Sequence, residues 1–394
     1  MVQHLSTPPM VDVVIIDFMF LHRSQASFLP VHYGDVARYL LKAFGAKMVF
    51  LVCDVYGIET IKDTCREERG TITGGTYPDK LGPAQSRPRD FANMLKHDSF
   101  KNAFFKFLIN EWCHCTEELD GYNMSFAQEK CYTYMVNDEH QVTRAEIGEY
   151  QCSGHLEADT MIVHYAVSAA TESSASTVLV RCDDSDVFLL LVKHAFRIKA
   201  QIIMDLGHSS KNNRRCINIT DLANKVGPEV CAALPAFHAF TGCDYLVAFN
   251  RKSKCRSFDA MIRDKTVLKA FKDLGKKQTV PSRIQQTLMA FTCQIYGQNK
   301  ERDPDKARYN AVKGKMPKSA HLADIEVWDP EKHGWIMAQG RLRLLWFTGD
   351  QGPANLYYES NESDSEDEEV DESPEVTDDE NVDLEIEEEG LYKY

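Results

Sequence analysis

Apolar residues come in short unbroken runs, separated by longer stretches with helical spacing. Val13-Val14-Ile15-Ile16 ends on Asp17, Met48-Val49-Phe50-Leu51-Val52-Cys53 ends on Asp54, and Thr177-Val178-Leu179-Val180 leads into Asp183-Asp184-Ser185-Asp186. A fourth run, Gln201-Ile202-Ile203-Met204, ends on Asp205. The runs are rich in β-branched residues and continuous rather than alternating, which is the pattern of strands buried on both faces of a parallel sheet. Between them Val36–Phe44, Leu156–Ala170, Val187–Phe196 and Asp221–Leu234 carry helical periodicity, and Gly45 stands as a stop after the first. The pattern predicts an α/β fold with a mostly parallel central sheet and helices on both faces. Phe91–Trp112 reads as a core-facing helical pair, and the Gly/Pro-rich residues 70–90 read as a loop.

The ends of the runs set the chemistry. In open α/β sheets, ligands bind beyond the carboxyl ends of the strands. Asp17, Asp54, and Asp184 with Asp186 are delivered to that edge from three strands. A single Asp there is a common cap or turn residue, so the coincidence of three is what carries information. Glu157-Ala158-Asp159 opens a further amphipathic stretch, where helix capping is the plain alternative. Thr241-Gly242-Cys243-Asp244 follows the helix-like Ala232–Phe240, where a solvated turn is the alternative. Seven converging carboxylates repel unless a cation joins them, and all-oxygen ligands favour Mg²⁺ or Mn²⁺ over zinc. Cys113-His114-Cys115, Cys131 and Cys152-x-x-His155 lack the spacing of a zinc site.

Lys62, Arg66 and Arg69 fall at i, i+4 and i+7, on one face of a helix beginning soon after Asp54. Such a stripe suits a phosphate backbone, and equally a solvated face paired with Asp63 and Glu67.

Charge divides the chain further. Residues 359–394 hold 18 Asp/Glu against Lys393, so of the net charge of -14 that segment carries -17 and the preceding 358 residues about +3. Residues 251–277 hold ten Lys/Arg against three Asp, and 299–318 seven basic residues against three acidic ones. The reading is a domain over 1–250, a basic and mainly helical extension over 251–358, and a disordered acidic tail over 359–394 that is a candidate docking segment for a protein partner. Arg251, Lys252 and Lys254 open the basic stretch and are expected to meet nucleic acid. No apolar run reaches the 18 or so residues of a membrane span, and residues 1–21 lack a signal-peptide pattern. With twelve cysteines read as reduced thiols, the expectation is an intracellular protein, nuclear or cytoplasmic, with no membrane association.

The ordered set Asp17, Asp54, basic helix, Glu157-x-Asp159, Asp184-x-Asp186 and Gly242-x-Asp244-Tyr245 resembles the PIN-like, flap-endonuclease-like 5′ nuclease superfamily across about residues 11–260. Glu157-Ala-Asp-Thr, LPAFHAFTGCDY and the later HGW and GRLRLLWFTGD segments look most like a poorly characterised group of animal PIN-like proteins associated with mobile elements. The resemblance implies a metal-dependent nuclease acting on DNA or RNA, with the seven acids holding two Mg²⁺ or Mn²⁺ ions and Lys62, Arg66 and Arg69 at the phosphate. A catalytically inactive, mobile-element-derived nucleic-acid-binding or scaffold protein is the alternative. The sequence departs from the family after Asp244: Tyr245–Arg256 reads YLVAFNRKSKCR, without the glycine turn of the family's duplex-binding hairpin. No P-loop, GxGxxG or GxSxG motif is present.

Overall fold

The computed structural model describes residues 4–5, 10–19, 29–42, 45–56, 80–148, 157–172, 175–207, 214–243, 246, 248–249, 251–277, 279–313, 335–338 and 340–344. In chain order these form β1 (His4–Leu5), β2 (Val13–Asp17), α1 (Tyr33–Leu41), β3 (Met48–Val52), α2 (Asp98–Glu111), β4 (Asn123–Ala127), β5 (Cys131–Val136) and β6 (Val142–Glu146). There follow α3 (Ala158–Glu172), β7 (Thr177–Arg181), α4 (Ser185–His194), β8 (Gln201–Leu206), β9 (Arg215–Asn218), α5 (Ile219–Val226) and α6 (Pro228–Thr241). Helices α7 (Lys254–Arg263), α8 (Lys265–Asp273), α9 (Ser282–Ile295) and α10 (Pro304–Lys313) come next, then the hairpin β10 (Trp335–Ala338) and β11 (Arg341–Leu344).

One sheet runs β1-β9-β8-β7-β2-β3-β4-β5-β6. The five strands β8-β7-β2-β3-β4 are parallel, and the flanks are antiparallel. The four apolar runs therefore give β2, β3, β7 and β8 of this parallel centre, as the pattern predicts. The missed strands are β4, which pairs parallel beside β3, and β5 and β6, which follow it through short connections that only antiparallel neighbours allow. Their sequences NMSFA, CYTYMV and VTRAE are broken by polar residues, and β6 is largely exposed.

The pleat divides the centre between two cores. Val14, Ile16, Val49 and Leu51 face α1 and α2, where Val36, Leu40, Phe104, Phe105 and Leu108 are buried. Val13, Ile15, Val52, Val178 and Val180 face α3 and α4, against Ile162, Tyr165, Val187 and Leu191. Each such buried side chain stabilises the fold by about 1.5–3 kcal/mol. Trp112 ties the first layer together, its indole N–H donating to Ala37 O at 3.1 Å.

The expected single helix Asp221–Leu234 is two helices. Gly227 takes φ 90°, and Pro228, which has no N–H to leave unsatisfied, begins α6. Val230, Ala233 and Phe237 of α6 then join Met261, Phe271 and Phe291 in a third, helical core. The basic helices thus pack on α6.

Candidate acidic site at the carboxyl edge of the sheet

Register brings the acids to one edge of the sheet. Asp17 pairs with Val52, and Ile16 with Arg181, so the carboxyl ends of β3, β2 and β7 lie side by side. Asp54 follows two residues beyond Val52, and Asp184 three beyond Arg181.

The side chains are engaged there. Asp17 Oδ1 accepts the Met19 amide at 2.8 Å, and its Oδ2 accepts the Cys182 thiol at 3.5 Å. Asp54 Oδ1 accepts the amide of Ala158, the first residue of α3, at 2.8 Å. Asp184 caps α4 by accepting the Asp186 amide at 2.8 Å. Glu157 and Asp159 flank Ala158, so the start of α3 is fastened to the end of β3. Capping and assembly of an acidic edge are here the same contacts.

Two buried thiols register the crowding of negative charge. Burial raises the pKa of Cys53 well above the ordinary thiol range, and Asp17 and Asp54 push it further. Cys182 is raised by burial and then by Asp17, with Asp184 and Asp159 adding to it while the Asp184 amide opposes. Carboxylates from β2, from the residues after β3 and β7, and from α3 thus share one neighbourhood. Neither thiol was read from the sequence as part of the edge; each stands directly after a strand, at Cys53-Asp54 and Cys182-Asp183.

Asp186, joined to Asp184 through its amide, links that neighbourhood to α6. Its Oδ1 lies 3.0 Å from His238 Nε2 on α6. His238 Nδ1 lies 2.8 Å from Lys254 Nζ, which also donates to Gly242 O at 2.7 Å. Burial lowers the pKa of Lys254, with Cys243 and Asp186 opposing. Lys254 is therefore turned inward, whereas Arg251 is exposed and Lys252 holds its ammonium 4.9 Å from the Tyr296 ring. His238 was not singled out from the sequence, where it sits inside an apolar helical stretch.

Asp205 does not belong to the edge site. It lies within β8, fully buried, and Arg214 grips it with two hydrogen bonds of 3.0 and 2.7 Å while Arg181 approaches to 3.2 Å. Lys62, Arg66, Arg69 and Asp244 lie outside the described residues, as does the 359–394 tail.

The donor chemistry, carboxylate oxygens around a concentration of negative charge, fits a hard divalent cation. Among the described residues, however, no group of three or more His, Cys, Asp or Glu side chains is placed to hold a metal ion. No helix among them is long and apolar enough to cross a membrane.

No family model matches the chain, and no curated protein matches it. Among solved structures, one of the T5 D15 protein co-crystallized with metal ions aligns at 14% identity, covering 77% of this chain and 91% of that one, with a TM-score of 0.35. A likeness that slight carries no weight for fold or function.

Proposed function

We propose that this chain is a PIN-like, divalent-metal-dependent phosphodiesterase acting on DNA or RNA. The observation that carries the reading is the alignment of three adjacent parallel strand ends, which deliver Asp17, Asp54 and Asp184 to one edge beside the start of α3. In this reading Asp17, Asp54, Glu157, Asp159, Asp184, Asp186 and Asp244 hold two Mg²⁺ or Mn²⁺ ions. A bound pair of such ions supplies an activated water and stabilises the leaving oxygen. The chain's own part is to fix the acids through the caps on α3 and α4, and to steer the phosphate with Lys62, Arg66 and Arg69. Arg251 and Lys252 contact the nucleic-acid backbone from the basic extension. The division at about residues 250 and 358, the intracellular setting and a protein partner for the acidic tail belong to the same proposal.

A second reading, an inactive nucleic-acid-binding or scaffold protein, is favoured by one observation: among the described residues no group of three ligands is assembled to hold a metal ion. Incubating the full chain with flap, single-stranded and duplex DNA and RNA in Mg²⁺, Mn²⁺ or EDTA separates the two. Cleavage that EDTA abolishes supports the enzyme; binding with no cleavage in either metal supports the scaffold.

A further inference from the structure

The chain of contacts from Lys254 through His238 to Asp186 joins the basic helices to the acidic edge, and its chemistry has one internally consistent assignment. An ammonium group carries donors and no acceptor. Lys254 Nζ, 2.8 Å from His238 Nδ1, therefore makes that nitrogen the acceptor. The neutral ring then carries its proton on Nε2, which donates to Asp186 Oδ1 at 3.0 Å. His238 is only about one-fifth exposed, and so is Asp186, so water competes weakly for these bonds.

We infer that His238 is a positioning residue, locked by Lys254 as the Nε2–H tautomer so that it fixes the rotation of the Asp186 carboxylate at the metal-binding edge. The inference rests on the proposed metal site and assigns it a support drawn from another part of the fold. Lys254 gives the latch its second anchor. By donating to Gly242 O as well, at 2.7 Å, it ties the end of α6 to the start of α7. A partner that orients a ligating group from outside typically changes metal affinity by about 10–100-fold when removed.

The experiment uses the full chain labelled with ¹⁵N-histidine, together with titration of Mn²⁺ alone. The His238 signal, identified by its loss in His238→Gln, should show a protonated Nε2 and an unprotonated Nδ1. Lys254→Met should convert that ring to a mixture of tautomers. His238→Ala should weaken Mn²⁺ binding about 10-fold or more, and His238→Gln, whose amide can replace the Nε2 donor, should restore most of it. If His238→Ala does not fold, the tautomer and the Gln variant decide. An Nδ1-protonated ring, or Mn²⁺ affinity in His238→Ala equal to wild type, overturns the latch while leaving the metal site standing. A wild-type chain that takes up no Mn²⁺ overturns the hydrolase reading and the positioning role with it.

Discussion

The amide of Ala158 donates to Asp54 Oδ1 at 2.8 Å across 104 residues of chain, so a strand-end acid serves as a remote cap for α3. Asp184 does the same locally for α4. Acids in such positions carry both stability and charge, and substitutions separate the two. Asp54→Ala should destabilise the protein by about 1–2 kcal/mol, because an N-terminal amide of α3 loses its acceptor. Asp54→Asn keeps an oxygen there and should retain most of that stability while abolishing Mg²⁺-dependent cleavage. Urea denaturation of both variants beside the cleavage assay checks the pair. Full activity in Asp54→Asn would remove Asp54 from the site.

Gly242 turns the chain after α6 with φ 112°, and a Cβ there would stand 2.6 Å from the Ala248 Cα and Cβ. Gly242→Ala therefore meets both a left-handed backbone and a clash with main chain, and should destabilise by roughly 2–4 kcal/mol. A denaturation midpoint within error of wild type would show that the backbone at Gly242 relaxes freely.

Two thiols away from the acidic edge set an alkaline limit. Burial pushes Cys115 up to about 12 and Cys216 up to about 11, from an ordinary 9.0. Both stay protonated in the folded state while the unfolded chain releases those protons above about pH 9. Stability is thus fully present below pH 9 and falls as pH rises through the folded values. Thermal midpoints between pH 7 and 10.5 should hold level and then decline, with a shallower decline in Cys115→Ala once its own loss of packing is subtracted. A flat profile to pH 10.5 would contradict these shifts.

The basic segment holds two kinds of cation. Arg251 is exposed and Lys252 lies over the Tyr296 ring, whereas Lys254 is committed to His238 and Gly242. If the first two meet phosphates, Arg251→Ala and Lys252→Ala should each flatten the salt dependence of nucleic-acid binding by about 0.7–0.9 in log–log slope, and Lys254→Met should leave the slope at its wild-type value. Equal slopes in all three variants and wild type would make the segment a solvated face.

How far the sequence was legible follows from which physical signals were local. Continuous apolar runs gave β2, β3, β7 and β8, because a strand buried on both faces needs apolar residues at every position. The acids at their ends were legible because they follow those runs directly. The antiparallel flank was not, since β5 and β6 have a wetter face and their pairing rests on short turns such as the one at Asn137, whose side chain accepts the Glu139 and Gln141 amides. His238 stayed hidden for a related reason. Helical periodicity marks Phe237 and Ala233 as core, but nothing local tells that His238, the residue after Phe237, reaches Asp186, 52 positions away. Burial explains Cys182 in the same way: its sequence position says strand end, and only the fold places Asp17, Asp159 and Asp184 around it.

The most direct measurement is anomalous diffraction from crystals soaked in Mn²⁺. A metal-dependent phosphodiesterase should show one or two manganese peaks among Asp17, Asp54 and Asp184, about 3.5–4 Å apart when two are present, and lose them in Asp184→Asn. Soaked crystals with those carboxylates ordered and no manganese between them would contradict the metal site.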